Sequence, residues 1–196
     1  MKDFIATFGK IDVLINNAGG ALQIPGGPKG EFKDMPMEYW DSQMNLNLNS
    51  AAYLSRYAVE DMIEKGTEGR IVNISSVHGQ VTWVHRRMLP YSAAKAGLNM
   101  FTKALGVEVA KYGIRVNCVA PGFIQTKLSD RYSERDVQGF KRKIAAGFLG
   151  QTEHIVPTIM FLADVKNTEY IVGRTITVDG GLTIDGIIDC MLEDEF

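Results

Sequence analysis

Apolar residues fall along this chain in two rhythms. Short apolar runs, Ile11 to Asn16 (IDVLIN), Arg70 to Ser75 (RIVNIS), Ile114 to Val119 and Arg174 to Val178, stop abruptly at Asn, Ser, Pro or Gly, as strands buried on both faces do. Between them lie segments with a helical period. From Met37 to about Lys65, Tyr39, Trp40, Met44, Leu48, Ala52, Leu54, Ala58, Met62 and Ile63 recur at helical spacing after Pro36 and before Gly66, so one long helix is predicted there. Tyr91 to Tyr112 reads as an Ala-rich helix stopped by Gly113, a residue suited to a helix end. Glu153 to Ala163 predicts another helix, and Arg131 to Lys143 a less regular one. Residues 20–36, rich in Gly and Pro, predict a loop, and residues 77–90 show no period.

Strands alternating with helices in this order build a parallel sheet with helices on both faces, so the fold class is α/β. In such sheets the ligand crevice opens beyond the carboxyl ends of the strands. The places to look for chemistry are therefore Asn16 to Gly19, Ser75 and Ser76, and Ala120 to Thr126.

With 196 residues, 45% hydrophobic and 22% charged, the composition is that of one packed domain over 1–196. The segment 184–196, ending in Glu193-Asp194-Glu195, reads as a solvated acidic tail. A net charge of −2 offers no basic excess for nucleic acid or an anionic membrane, and neither partner is expected. Asp3, Lys10 and Asp12 interrupt the N-terminal apolar residues and no later run approaches membrane-spanning length, so a cytoplasmic location is expected. Cys118 and Cys190 lie far apart, and His78, His85 and His154 share no ligand spacing; neither a disulfide nor a metal site is expected.

Tyr91 and Lys95, four positions apart at the start of a helix, share one face about a turn apart. A cation near a phenol favours the phenolate, so Lys95 is expected to draw Tyr91 from its usual value near 10 toward acid/base work near neutrality. Ser76, at the end of the preceding strand, offers a hydroxyl to an oxygen on which charge develops. The spacing alone is a short motif with a real chance of coincidence. Its neighbours decide. Tyr91-Ser92-Ala93-Ala94-Lys95-Ala96-Gly97 follows Asn73-Ile74-Ser75-Ser76 and precedes Asn117-Cys118-Val119-Ala120-Pro121-Gly122. With Asn16-Asn17-Ala18-Gly19 upstream and Val178-Asp179-Gly180-Gly181 downstream, this order closely resembles the short-chain dehydrogenase/reductase family.

The resemblance implies a Rossmann-like fold and an oxidoreductase that moves hydride between NAD or NADP and a secondary alcohol or ketone on a small molecule. It casts Tyr91 as acid/base, Ser76 as the group that orients and polarises the substrate oxygen, and Lys95 as both modulator of Tyr91 and holder of the nicotinamide ribose. Asn47, seven residues past Trp40, would hold a relay water, although Asn45 and Asn49 beside it are not separated from it by helix geometry. Asn16 would lie near the adenosine ribose and Ile124 and Thr126 by the nicotinamide carboxamide, and Ala18, Gly19, Tyr91, Lys95, Pro121 and Gly122 are cast as cofactor-binding as well. Arg86 and Arg87, in a stretch the resemblance places beside the substrate, are read as a solvated basic turn or as paired donors to an acidic substrate group.

Family members begin with a glycine-rich βαβ portion that seats the pyrophosphate. Each such unit needs roughly 30 residues, yet only ten precede Ile11. The expectation is a chain truncated to the second half of the fold, with about four strands. Val13-Leu14-Ile15 then becomes an open apolar edge that invites pairing with another chain. A homodimer or homotetramer is expected, the helices over 37–65 and 91–112 resembling those of the usual subunit contacts. The alternative is a non-catalytic fragment serving as a binding or assembly module. A flavodoxin-like phosphate binder shares the layering but leaves Tyr91, Lys95 and Ser76 unexplained.

Overall fold

A computed structural model describes residues 2–21, 31–82, 88–126 and 132–184. Four parallel strands pair in chain order: β1 (Val13–Asn16), β2 (Arg70–Ile74), β3 (Arg115–Pro121) and β4 (Thr175–Val178). The helices are α1 (Lys2–Phe8), α2 (Met37–Met44), α3 (Ser50–Glu64), α4 (Leu89–Val109), α5 (Glu134–Lys143) and α6 (Thr152–Ala163). The predicted strands and helices are all present, with shifted ends. β1 starts at Val13 because the Ile11 N–H leaves the ladder for the Asp61 carboxylate at 2.8 Å. β4 starts at Thr175 because the Arg174 N–H goes to Asn117 Oδ1 at 2.9 Å.

Alternation along the buried strands places helices on both faces. Leu14, Ile71 and Val116 point to one side, where Ala58 and Met62 of α3 and Val109 of α4 cover them. Val72 and Val119 point to the other, against Ile155 and Leu162 of α6. β1 is an edge strand of the sheet, and α6 packs over β2, β3 and β4, leaving Val13 39% and Ile15 42% exposed. The expected open apolar edge is there.

Two segments depart from the sequence pattern. The predicted helix over 37–65 is continuous but contains a π turn at Asn45–Asn49 between α2 and α3. Such a turn holds an extra residue and re-aims side chains. It buries Asn47, while Asn49 Nδ2 donates to Asn45 Oδ1 on the outside at 2.7 Å, which selects Asn47 from its neighbours. Residues 77–90, without a period, contain a 3₁₀ turn at Val77–Gly79 and the start of α4 at Leu89 rather than Tyr91, with Pro90 in its first turn, where a missing N–H costs nothing. The acidic tail beyond Ile184 and Cys190 lie outside the described residues.

At the foot of the sheet, buried Asp61 accepts from the Ile11 N–H and pairs with Lys65, which also donates to the Gly9 carbonyl. Burial raises the Asp61 carboxyl, but Lys65 and the Ile11 N–H together outweigh it and hold the group below its usual 3.8. A carboxyl depressed in the folded state contributes stability above its unfolded value, and that contribution fades as pH falls through the folded value. Asp61→Asn is therefore expected to lower stability at pH ~7 and to flatten the acid limb below pH ~4, as read by urea unfolding across pH.

Candidate active site

β2 ends by delivering Ser76 as the cap of the Val77–Gly79 turn, with its Oγ accepting the His78 N–H at 3.2 Å. Helix α4 is bolted to this turn. Ser75 Oγ donates to the Lys95 carbonyl at 3.1 Å and Asn99 Nδ2 to the Gly79 carbonyl at 3.1 Å. The approach is so close that a Cβ on Gly79 would stand 2.7 Å from the main-chain carbonyl carbon of Lys95. A turn with no side chain at Gly79 is thus what sets Ser76 beside the first turns of α4.

Tyr91 and Lys95 project from those turns. Lys95 Nζ lies 5.8 Å from the centre of the Tyr91 ring, and Tyr91 hydrogen-bonds with Ser76. The ammonium is buried and donates to the Ile74 carbonyl at 2.7 Å. Tyr91, Ser76 and Lys95 therefore share one cleft at the carboxyl end of β2. The electrostatics differ from expectation. Burial raises the Tyr91 phenol above its usual 10.0, the Ser76 hydrogen bond offsets this only in part, and Tyr132 adds to the rise. Burial also pushes Lys95 down to about 8, with Cys118 opposing. Lys95 thus does not draw the phenol toward neutrality here, because desolvation acts against both charged forms. Near neutral pH Tyr91 holds its proton.

The depressed lysine has a consequence for stability. Between about pH 8 and its ordinary 10.5, Lys95 binds fewer protons folded than unfolded, so stability rises with pH across that window. Lys95→Met is expected to lack this rise in urea unfolding measured at points through the window.

Asn47 closes the cleft on the β1 side. Its Nδ2 donates to the Gly20 carbonyl at 3.0 Å and to Gln43 O and Oε1 at 3.1 Å, while Oδ1 accepts the Gly20 N–H at 2.8 Å. The carboxamide clamps the loop after β1. Gly19 there would carry a Cβ 2.9 Å from Asn47 Oδ1 and 3.1 Å from Lys95 Nζ, so a side chain would crowd the cleft. Ala18 and Gly19 are exposed. Asn16 is turned inward instead: Nδ2 donates to Ser55 Oγ at 3.0 Å and Asn73 Oδ1 at 2.7 Å, and Asn73 Nδ2 continues to Thr102 Oγ1 at 2.9 Å. This ladder ties β1 and β2 to α3 and α4, and gives the Asn16 side chain a structural position rather than a surface one.

On the other flank, β3 ends at Pro121, and Gly122 is the residue that allows the chain past β4, since its Cβ would lie 2.8 Å from Asp179 Cα. Ile124 bridges Gly150 in parallel and Thr126 is exposed. Arg86 and Arg87 lie outside the described residues. Cys118 is buried and its thiol is pushed up to about 11 by that burial, which makes it a poor nucleophile.

Sequence reasoning missed the aromatic wall of the cleft. His78 meets Tyr91 edge-on at 5.7 Å and Phe123 at 6.2 Å; Phe123 stacks on Phe140 at 4.2 Å, and Phe140 meets Tyr132 at 5.1 Å. Tyr132 and Lys141 also line an open cavity of about 420 Å³ with Gln125, Val137, Leu149 and Gln151. The signal for His78 was its place two residues after Ser76 in a turn; Phe140 and Tyr132 come from a segment whose period is irregular. Among the described residues, no group of three or more His, Cys, Asp or Glu could hold a metal ion, and no helix is long and apolar enough to cross a membrane.

The short-chain alcohol dehydrogenase family model described as enoyl-(acyl carrier protein) reductase matches residues 1–183. The chain belongs to the short-chain dehydrogenase/reductase family. It is 41% identical over 197 residues to an uncharacterized oxidoreductase of Schizosaccharomyces pombe, covering 99% of this chain and 72% of that one. It is 37% identical over 184 residues to a 3-oxoacyl-[acyl-carrier-protein] reductase of Synechocystis, covering 94% and 70%. Among solved structures, a gluconate 5-dehydrogenase from Burkholderia cenocepacia in complex with NADP and tartrate superposes with a TM-score of 0.85 at 30% identity, covering 94% of this chain and 69% of that one. Family membership thus agrees with the parallel sheet and its cleft, and this chain spans about seven tenths of each of these relatives.

Proposed function

We propose that this chain carries the catalytic half of an NAD- or NADP-dependent oxidoreductase that interconverts a secondary alcohol and a ketone on a small molecule. The observation that carries the reading is one cleft holding a phenol, a serine hydroxyl bonded to it and a buried ammonium. NAD or NADP is the cofactor of this family. The described residues fit its nicotinamide half: Lys95 has three N–H donors and gives one to Ile74, leaving two for ribose hydroxyls. The bare Gly19 keeps the cleft open beside them. Ala18, Gly19, Pro121, Gly122, Ile124 and Thr126 are assigned to the cofactor by the family likeness, while the glycine-rich pyrophosphate turn is not among these 196 residues.

The bound nicotinamide would supply or accept the hydride. This chain's own residues handle the proton and the oxygen. Tyr91, protonated near neutrality, gives its proton to a carbonyl oxygen in the reductive direction and takes it back in the oxidative one. Ser76 donates to the same oxygen as charge builds on it. Lys95 holds its charge behind the pair, and Asn47 fixes the loop that borders them. The cavity walled by Tyr132, Leu149 and Val137 offers a substrate body room on the flank where Tyr132 stands.

Self-association completes the proposal. Val13 and Ile15 on the open edge, Tyr53 on α3 and Val107 on α4 are all exposed, which supports a homodimer or homotetramer through these surfaces. The second reading is a non-catalytic binding or assembly module. NAD(P)H fluorescence titration of this chain separates the two. Micromolar binding supports the oxidoreductase, and no binding at millimolar cofactor supports the module.

A further inference from the structure

Two contacts converge on the Ser76 oxygen from one residue. The His78 main-chain N–H donates to Oγ at 3.2 Å, and His78 Nδ1 stands 3.4 Å from the same atom. The imidazole is held in place rather than loose: it is buried, edge-on to Tyr91 at 68° and to Phe123 at 90°. A serine oxygen has one proton and two lone pairs. The His78 N–H fills one lone pair, so the state of Nδ1 decides where the proton points.

If Nδ1 accepts, the Ser76 proton is spent on the imidazole and the serine turns a lone pair toward Tyr91. If Nδ1 carries hydrogen, it fills the second lone pair, and the serine proton is left to the phenol and to a substrate oxygen beside it. Polarising a carbonyl requires the second arrangement. We propose that His78 is a positioning residue in its Nδ1–H tautomer, saturating Ser76 Oγ as an acceptor and aiming the Ser76 proton at the reacting oxygen. The inference rests on the role given to Ser76 above. It also gives the buried ring a task beyond filling space between Tyr91 and Phe123, and that difference is measurable.

Long-range ¹H–¹⁵N NMR of the histidine side chains of this chain at neutral pH reads the tautomer directly, with His78 assigned by the signals lost in His78→Phe. The expected result is a protonated Nδ1 whose shift moves in Ser76→Ala. An Nε2–H tautomer, or an Nδ1 indifferent to Ser76→Ala, overturns the proposal. Kinetics supply the second arm. His78→Asn keeps an N–H donor near the Nδ1 position and loses the ring, whereas His78→Phe keeps the ring and loses the donor. With the donor as the working part, His78→Phe lowers kcat by about tenfold, the scale of one lost hydrogen bond, and His78→Asn retains most of it, KM for cofactor being unchanged in both. If His78→Phe is the more active of the two, the ring is packing alone and the proposal is wrong. The NMR arm needs no turnover, so an inactive wild-type chain would count against the oxidoreductase reading while the tautomer still judges this one.

Discussion

Tyr91→Phe is expected to lower kcat by about 10²–10⁴-fold, the usual worth of a positioned general acid/base, while leaving cofactor affinity and fold nearly unchanged. The substitution deletes a single oxygen. The ring that His78 meets at 5.7 Å and that Lys95 approaches at 5.8 Å stays in place, so packing is conserved and the loss falls on proton transfer. Because burial holds the phenol above 10.0, the wild-type reductive rate should be flat through neutral pH, with no titration of Tyr91 there. A steady-state pH profile checks this, and Tyr91→Phe should shift its height rather than its shape in that range.

Gly79→Ala is expected to have the second largest effect, although residue 79 touches no reacting group. Its new Cβ would meet the Lys95 carbonyl carbon at 2.7 Å, the carbonyl oxygen at 2.8 Å and the Ala96 nitrogen at 2.9 Å. All three are main-chain atoms of α4, so the turn must move away from the helix. Overpacking of this kind costs about 1–3 kcal/mol, and displacing Ser76 by about 1 Å from Tyr91 costs on the order of 10² in kcat. Gly139→Ala is the control: it has nothing within 4 Å of its new Cβ and lies inside α5, so it should be neutral or stabilising by up to about 1 kcal/mol. Thermal melts and kcat measured on both variants separate crowding at one glycine from glycine loss in general.

The parts of this architecture that were legible in the sequence are those set by burial alone. Ile71 and Val72 face opposite sides of one strand, and each needs an apolar cover, so the apolar run and the helices flanking it follow from pattern. The proposed catalytic group was legible because Tyr91 and Lys95 sit one helical turn apart and Ser76 ends a strand, relations carried by spacing. What pattern could not carry were features decided by three-dimensional contact. The π turn that buries Asn47 and leaves Asn45 and Asn49 outside has no periodic signature. The inward turn of Asn16 depends on Ser55 and Asn73 meeting it. The sign of the Tyr91 shift is set by burial, which spacing along the chain does not show. His78 stood two residues after Ser76 in the sequence, but only the fold turned its ring back onto the Ser76 oxygen.

The central claim, that Tyr91 moves a proton in step with hydride transfer in this cleft, is tested most directly by isotope transfer. NAD(P)H deuterated at the transferable C4 position would be mixed with a panel of small ketones and either the wild-type chain or Tyr91→Phe, and the alcohols analysed by mass spectrometry. The account predicts deuterium at the carbinol carbon with the wild-type chain and at least about a 10²-fold slower appearance with Tyr91→Phe. Label that appears equally fast with both would contradict it.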